Sequence, residues 1–224
     1  MDKARKLAAE EAVRRFVRDG MIVGLGTGRT AGHAIRYIGG LVSEGLDVIC
    51  IPTSEATASL AAGLGIKLST LEEYPEINVT IDGADEVDSS LNLIKGRGGA
   101  LLREKIVAAA TETEVIVIDD QKVVGTLGSN QPVPVEMATF GYRSTMKHLA
   151  ALSRSVVMRH DADRPFVTDN GNYVADCTFG GIPDPHKLEN DIKSIPGALE
   201  CGLFIGIAAA AVIGSLSGIR ILTR

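Results

Sequence analysis

The chain has 224 residues, of which 45% are hydrophobic, 23% charged and 4% aromatic, with 25 glycines and no tryptophan. A core must therefore be built from Ala, Val, Ile and Leu, which suits an α/β protein whose parallel strands are buried on both faces. The net charge of −5 leaves no basic surplus for gripping a nucleic-acid backbone, so no nucleic-acid partner is expected, although a few local cations and a helix N-terminus suffice to hold a small anion.

Residues 4–18 read as an amphipathic helix, with Ala8, Ala12 and Phe16 four apart and Val13 and Val17 likewise. The N-terminal segment is charged throughout and lacks an apolar signal core, which points to the cytoplasm. A series of short aliphatic strands follows, each closed by a turn signal: MIVGL (21–25), DVICI (47–51), NVTI (78–81), LNLI (91–94) and EVIVI (114–118). Strand alternating with helix is the pattern of a doubly wound parallel sheet. Thr27, Ser54, Asp82, Lys95 and Lys122 each follow the carboxyl end of one of these strands, the edge at which open parallel sheets bind ligands. After residue 130 the order becomes strand (PVPVEM), helix (GYRSTMKHLAAL), strand (SVVMRH), strand (FVTDNGNYVADC, with an Asp-Asn-Gly turn at 169–171), helix (DPHKLENDIKSI) and strand (ALECGLF). That order predicts a smaller ferredoxin-like α+β domain. The expected division is residues 1–129 with 205–224 as one domain and 130–204 as the other. Residues 201–219 carry no charge and reach the length of a membrane span. Gly202, Gly206, Gly214 and Gly218 punctuate them, so they read as short buried strands joined by turns and no membrane partner is expected.

Cys50, Cys177 and Cys201 are far apart and odd in number, and the four histidines have no ligand spacing. No metal and no cofactor is expected. The segment GLGTGRT (24–30) follows a strand and opens a helix, so its backbone can approach a phosphate closely, a reading favoured over the alternative of a plain tight turn. Its spacing is neither a dinucleotide fingerprint nor a P-loop. DGADEVD (82–88) packs four carboxylates into seven residues. Such runs are commonly solvated surface and, second, a metal site, though the spacing excludes an EF-hand; the small Gly83 and Ala84 would let carboxylates line a cleft. KGRGGALLREK (95–105) sets Lys95 on a glycine turn and Glu104 on the next helix, the carboxylate and ammonium that a proton-shuttling enzyme needs, although for this stretch alone an exposed helix with Arg103, Glu104 and Lys105 in solvent is the simpler reading.

The ordered set GLGTGRT, TSEAT, DGADEVD, KGRGGALLREK, VTDNGN and PGALECGLF closely resembles type A ribose-5-phosphate isomerase over nearly the full length. The resemblance implies a Rossmann-like parallel-sheet domain carrying a smaller α+β domain, a sugar-phosphate ligand, no metal, and a homodimer or homotetramer. It makes Glu104 the general base and places Asp82, Asp85 and Lys95 around the reacting oxygens of the sugar. Thr27, Gly28, Arg29 and Thr30 match the phosphate loop, Lys6 and Lys122 the substrate-facing lysines, and Gly96, Arg97 and Gly98 complete the loop after Lys95. Two positions depart from the family pattern: Arg29 stands where Ser is usual in GTGST, and Arg97 where Gly is usual in KGGG.

The implied reaction moves a proton between C2 and C1 of ribose 5-phosphate or ribulose 5-phosphate through an enediol(ate). One carboxylate can take and return that proton, and a cation such as Lys95 can stabilise the oxyanion. Ring opening of the sugar needs an acid–base pair drawn from Asp82, Asp85 and Lys95. A non-catalytic sugar-phosphate sensor would have no use for Glu104 beside Lys95, and a nicotinamide-dependent dehydrogenase would need a different glycine spacing.

Overall fold

The structure is a computed structural model that describes residues 2–224. Helix α1 (Asp2–Phe16) leads into β1 (Ile22–Leu25), α2 (Arg29–Ser43), β2 (Ile49–Pro52), α3 (Glu55–Gly63) and β3 (Ile77–Asp82). Two short strands, β4 (Glu86–Val87) and β5 (Leu93–Ile94), precede α4 (Leu101–Ala109), β6 (Thr111–Asp119) and a 3-10 turn at Asp120–Lys122. Then come β7 (Val133–Met137), α5 (Tyr142–Leu152), β8 (Ser155–Met158), the small hairpin β9 (His160–Asp161) and β10 (Arg164–Pro165), β11 (Tyr173–Thr178) and α6 (Pro185–Lys193). The chain closes with β12 (Ala198–Cys201), β13 (Leu203–Phe204), β14 (Ala210–Ser215) and β15 (Gly218–Thr223).

The central sheet has the order β15-β14-β6-β3-β1-β2 and is parallel except for β15, which folds back along β14. Strand alternation divides its side chains between two cores. Val23, Leu25, Val79, Ile81, Val115 and Val117 point to one face and pack against Ala8, Ala12, Ile35 and Ile38 of α1 and α2. Ile116, Ile118, Ala211 and Ile213 point to the other, under Leu93, Ala108 and Phe204. The alanine face of α1 allows a close approach to the sheet. At Gly214 a Cβ would collide with the Ala4 carbonyl, so only glycine lets the helix rest there.

LNLI does not join the parallel sheet. Its Leu93–Ile94 lies in a three-stranded antiparallel sheet, β13-β5-β4. A parallel crossover needs about a dozen residues or more, and the short link from the end of β3 cannot supply one. The chain instead turns back at Leu91, whose φ of 59° is left-handed, and pairs with Glu86–Val87.

The second large sheet, β12-β7-β11-β8, is antiparallel throughout. With α5 and α6 it forms the β-α-β-β-α-β arrangement of a ferredoxin-like fold. Val135, Met137, Leu149, Ala175 and Ile192 meet in its core. The uncharged run 201–219 is divided among β12 to β15, and among the described residues no helix is long and apolar enough to cross a membrane.

Candidate active site

Asp82 ends β3 at the carboxyl edge of the sheet, on the face away from Ile81. Its neighbour is Gly26, the residue just past β1, where a Cβ would collide with the Asp82 carboxylate. The glycine therefore makes the carboxylate's seat. Asp82 Oδ1 accepts from Thr27 N at 3.1 Å and Gly83 N at 2.6 Å. Its Oδ2 lies 2.8 Å from Lys95 Nζ, with both side chains almost wholly buried.

Lys95 arrives from β5, and its ammonium also donates to the Gly83 carbonyl. Beyond it the glycine turn 96–99 starts α4, and Glu104 sits on the helix's first turn. Glu104 Oε1 is 3.4 Å from Lys95 Nζ, while Oε2 is buried with no partner. Burial pushes the Glu104 carboxyl up to about 8, against the pull of Lys95 and with help from Asp82 and Asp85. For Lys95, burial opposes the charge, but Asp82 and then Glu104 outweigh it and hold the ammonium above its ordinary range. The site thus contains a fixed cation beside a carboxyl poised near neutrality.

A cleft of about 290 Å³ opens over this pair, lined by Lys95, Glu104, Gly83, Ala84 and Asp85, by Gly96, Arg97 and Gly98, by Thr27, Gly28, Arg29 and Thr30, and by Lys122 and Arg5. Most of the residues singled out in the sequence therefore meet in one place. Asp82 does not reach the cleft surface: it lies behind Lys95. Asp85 does reach it, accepting from Arg97 N at 3.0 Å and facing Lys122 Nζ at 3.8 Å. Arg5, Arg29, Arg97 and Lys122 make the cleft cationic, and α2 is preceded by Gly28, which offers no side-chain cap, so the helix's first N–H groups are available to an anion.

Lys6 is not brought to the cleft. Its ammonium is exposed and lies 3.7 Å from Glu10 on the same helix. The preceding residue takes the place: Arg5 lines the cleft, held by Asp119 at the end of β6 through a 2.7 Å bond. Adjacent helix positions point about 100° apart, so one side chain of the pair faces the cleft and the other faces solvent. The Thr27 hydroxyl also turns inward, bonding Thr53 and Ser54 at 2.8 Å each. TSEAT is thus the buttress of the GLGTGRT loop: Thr53 and Thr57 bond the carbonyls of Leu25 and Gly26 at 2.9 Å.

The rest of the acidic run is structural. Glu86 is buried and accepts from the N–H groups of Gly128, Asn130 and Gln131, and Asp88 accepts from those of Ser90 and Asn92. Among the described residues, the one grouping with metal-ligand proximity is Glu189, Glu200 and Cys201. There the Lys105 ammonium already bonds Glu189 and Glu200 at 2.8 Å. Sequence reasoning also missed Glu114, a buried carboxyl on β6 pushed well above the carboxylate range by burial and then by Asp82. Its signal was a Glu at an inward position of the aliphatic strand TETEVIVID.

The model of the family described as ribose 5-phosphate isomerase A (phosphoriboisomerase A) matches residues 49–218. The chain belongs to that family. The curated ribose-5-phosphate isomerase A of Gloeobacter violaceus is 49% identical over all of this chain and 97% of its own. A solved ribose 5-phosphate isomerase from Plasmodium falciparum superposes with a TM-score of 0.96 at 39% identity, covering 100% of this chain and 99% of the other. A D-ribose-5-phosphate isomerase solved in complex with phospho-erythronic acid superposes at 0.95 with 36% identity, covering 99% and 98%. The Rossmann-like sheet with its ferredoxin-like companion is therefore the family's fold.

Proposed function

We propose that this chain interconverts D-ribose 5-phosphate and D-ribulose 5-phosphate through an enediol(ate), with Glu104 as the base. The observation that carries the reading is the buried, half-unpartnered Glu104 carboxyl beside Lys95 on the floor of a cationic cleft. The family membership and the phospho-erythronic acid complex of a relative support the same substrate.

In this reading the phosphate sits at the start of α2, near Thr30, Arg29 and Arg5, and C1 and C2 reach Glu104. Glu104 removes the C2 proton of the open-chain aldose. The electron pair moves to C1–C2 and the carbonyl oxygen becomes an enediolate oxygen beside Lys95. Transfer of a proton between the two oxygens and return of the Glu104 proton to C1 completes the ketose. A carboxyl near neutrality suits a group that must both accept and give back a proton. Asp82 fixes Lys95 from behind, so Asp85 is the carboxylate available to the ring oxygen or hydroxyl during opening, with Lys95 as its acid partner. Gly83, Ala84, Gly96 and Gly98 keep the walls thin enough for the sugar to approach.

We take the protein to work as a homodimer or homotetramer in the cytoplasm. The family membership supports self-association, and three free, buried cysteines fit a reducing compartment. The deciding experiment is conversion of ribose 5-phosphate in deuterated water. Ketose formation with deuterium entering at C1 is expected; no conversion, or conversion that stops when divalent metal is removed and returns with it, refutes the reading.

A further inference from the structure

The Asp169–Asn170 turn of the ferredoxin-like domain lies outside the cleft, yet it is tied to α4, which carries Glu104, and to the start of α3. Glu136 on β7 is completely buried and gathers three donors onto Oε1: Thr168 Oγ1 at 2.9 Å, Asn170 Nδ2 at 3.1 Å and Asn172 Nδ2 at 2.9 Å. All three come from one surface turn, whose Gly171 is left-handed at φ 78°. Burying a carboxylate is costly, and these bonds order the turn rather than fill a core.

The ordered turn then grips Arg103. With its Nδ2 committed to Glu136, Asn170 presents Oδ1, which accepts from Arg103 Nε at 2.9 Å. The Asp169 carbonyl accepts from Nη2 at 3.1 Å, and Nη1 bonds Glu55 at 2.8 Å. Asp169 Oδ2 also accepts from the Glu55 N–H at the start of α3, at 2.8 Å. Arg103 directly precedes Glu104 on the first turn of α4, and Ser54, directly before Glu55, holds Thr27 of the phosphate loop. The chain of contacts runs from Glu136 through the turn to the neighbours of Glu104 and of Thr27, two residues that line the cleft.

We infer that Asn170 and Arg103 are positioning residues for the reaction: the Glu136-ordered turn fixes the first turn of α4 and thereby seats Glu104 against Lys95. An isolated ion pair at a one-third-exposed Arg103 would contribute little to stability. A buried carboxylate, two asparagines and a guanidinium with three separate acceptors are instead suited to setting a geometry. Small displacements of a reacting group are expensive in rate, with ~1 Å worth on the order of 10²-fold.

This inference rests on the proposed isomerase reading, and the test separates the two. In the full-length protein, Arg103→Ala, Asn170→Ala and the double variant are compared with the parent for kcat and KM on ribose 5-phosphate, pH profile and thermal unfolding. Each single variant should stay folded and lose ~10- to 10²-fold in kcat with KM little changed. The acid limb of kcat/KM should move toward the ordinary carboxylate range as Glu104 loosens and hydrates. The double variant should be no slower than the singles, because both break one chain of contacts. Should the alanine variants fail to fold, Arg103→Lys keeps the charge beside Glu55 but cannot bridge Asn170 and the Asp169 carbonyl together, and it should show the same loss in kcat. Folded variants with parental kcat and an unmoved pH limb overturn the inference, as does a multiplicative loss in the double variant. A parent protein inactive on ribose 5-phosphate overturns instead the reading on which it rests.

Discussion

Glutamine at position 104 separates the chemistry of Glu104 from its packing. The carboxyl is buried, one oxygen has no partner, and its pKa rises from the ordinary 4.5 to about 8. At ~1.4 kcal/mol per pH unit, that rise corresponds to a few kcal/mol held against the ionised form. The sign follows directly. A raised folded-state pKa favours the folded protein fully below about 4.5, and that advantage is lost as pH climbs through about 8. At neutral pH the free carboxyl is thus mostly protonated, and Glu104→Gln replaces it with a neutral group of the same size. The variant should unfold within about 1 kcal/mol of the parent below pH 4.5, gain on it progressively as pH rises from 4.5 to 8, and hold that advantage above, as read by chemical denaturation. Turnover should fall by ~10²–10⁴, because an amide cannot take the C2 proton. Deuterium exchange into the sugar should disappear in step. In the parent, activity should drop as pH falls through the neutral range rather than through the usual carboxylate range. A Glu104→Gln protein that isomerises at near-parental rate would refute the assignment and move it to Asp85, the other carboxylate in the cleft.

Lys95→Met leaves the Asp82 carboxylate buried and unpaired, so denaturation should show a loss of about 3–5 kcal/mol together with loss of turnover; a variant as stable as the parent contradicts the ion-pair account. Gly26→Ala drives a Cβ into the Asp82 carboxylate and should lower stability by about 1–3 kcal/mol while disturbing Lys95, which a normal melting temperature and normal kcat would exclude. Arg5→Ala should raise KM for ribose 5-phosphate by ~10-fold or more, the order expected for a charged hydrogen bond. Lys6→Ala should leave KM close to that of the parent, and the opposite ranking would show that α1 presents its other face to substrate.

The strand–helix alternation was legible because buried aliphatic runs ending in glycine or polar turns leave few other options. The ferredoxin-like order was legible for the same reason. LNLI has the composition of a buried strand, and composition does not say which sheet receives it; the length of the link from β3 decides that. At the site, the motifs identified the participants but not their depth. Asp82 and Asp85 are three residues apart, yet one is a buried counter-ion and the other a cleft wall. The choice between Arg5 and Lys6 depends on the rotation of an alanine-rich helix, whose charged residues surround much of its circumference. The inward turn of the Thr27 hydroxyl depends on TSEAT, which is far away in sequence. The Glu136–Asn170–Arg103 chain joins three distant segments and leaves no local pattern at all.

The placement of β14 has a consequence for how the molecule is made. In the sheet it lies directly beside β6, with α1 resting on it through Gly214, but a ribosome delivers it only after the whole ferredoxin-like unit has been threaded out. Until then β6 has a bare hydrogen-bonding edge and α1 lacks one of the strands on which it rests. The nascent Rossmann-like half must wait, exposed, for a strand that arrives late. Intermediates that open this edge are the ones most exposed to edge-to-edge association.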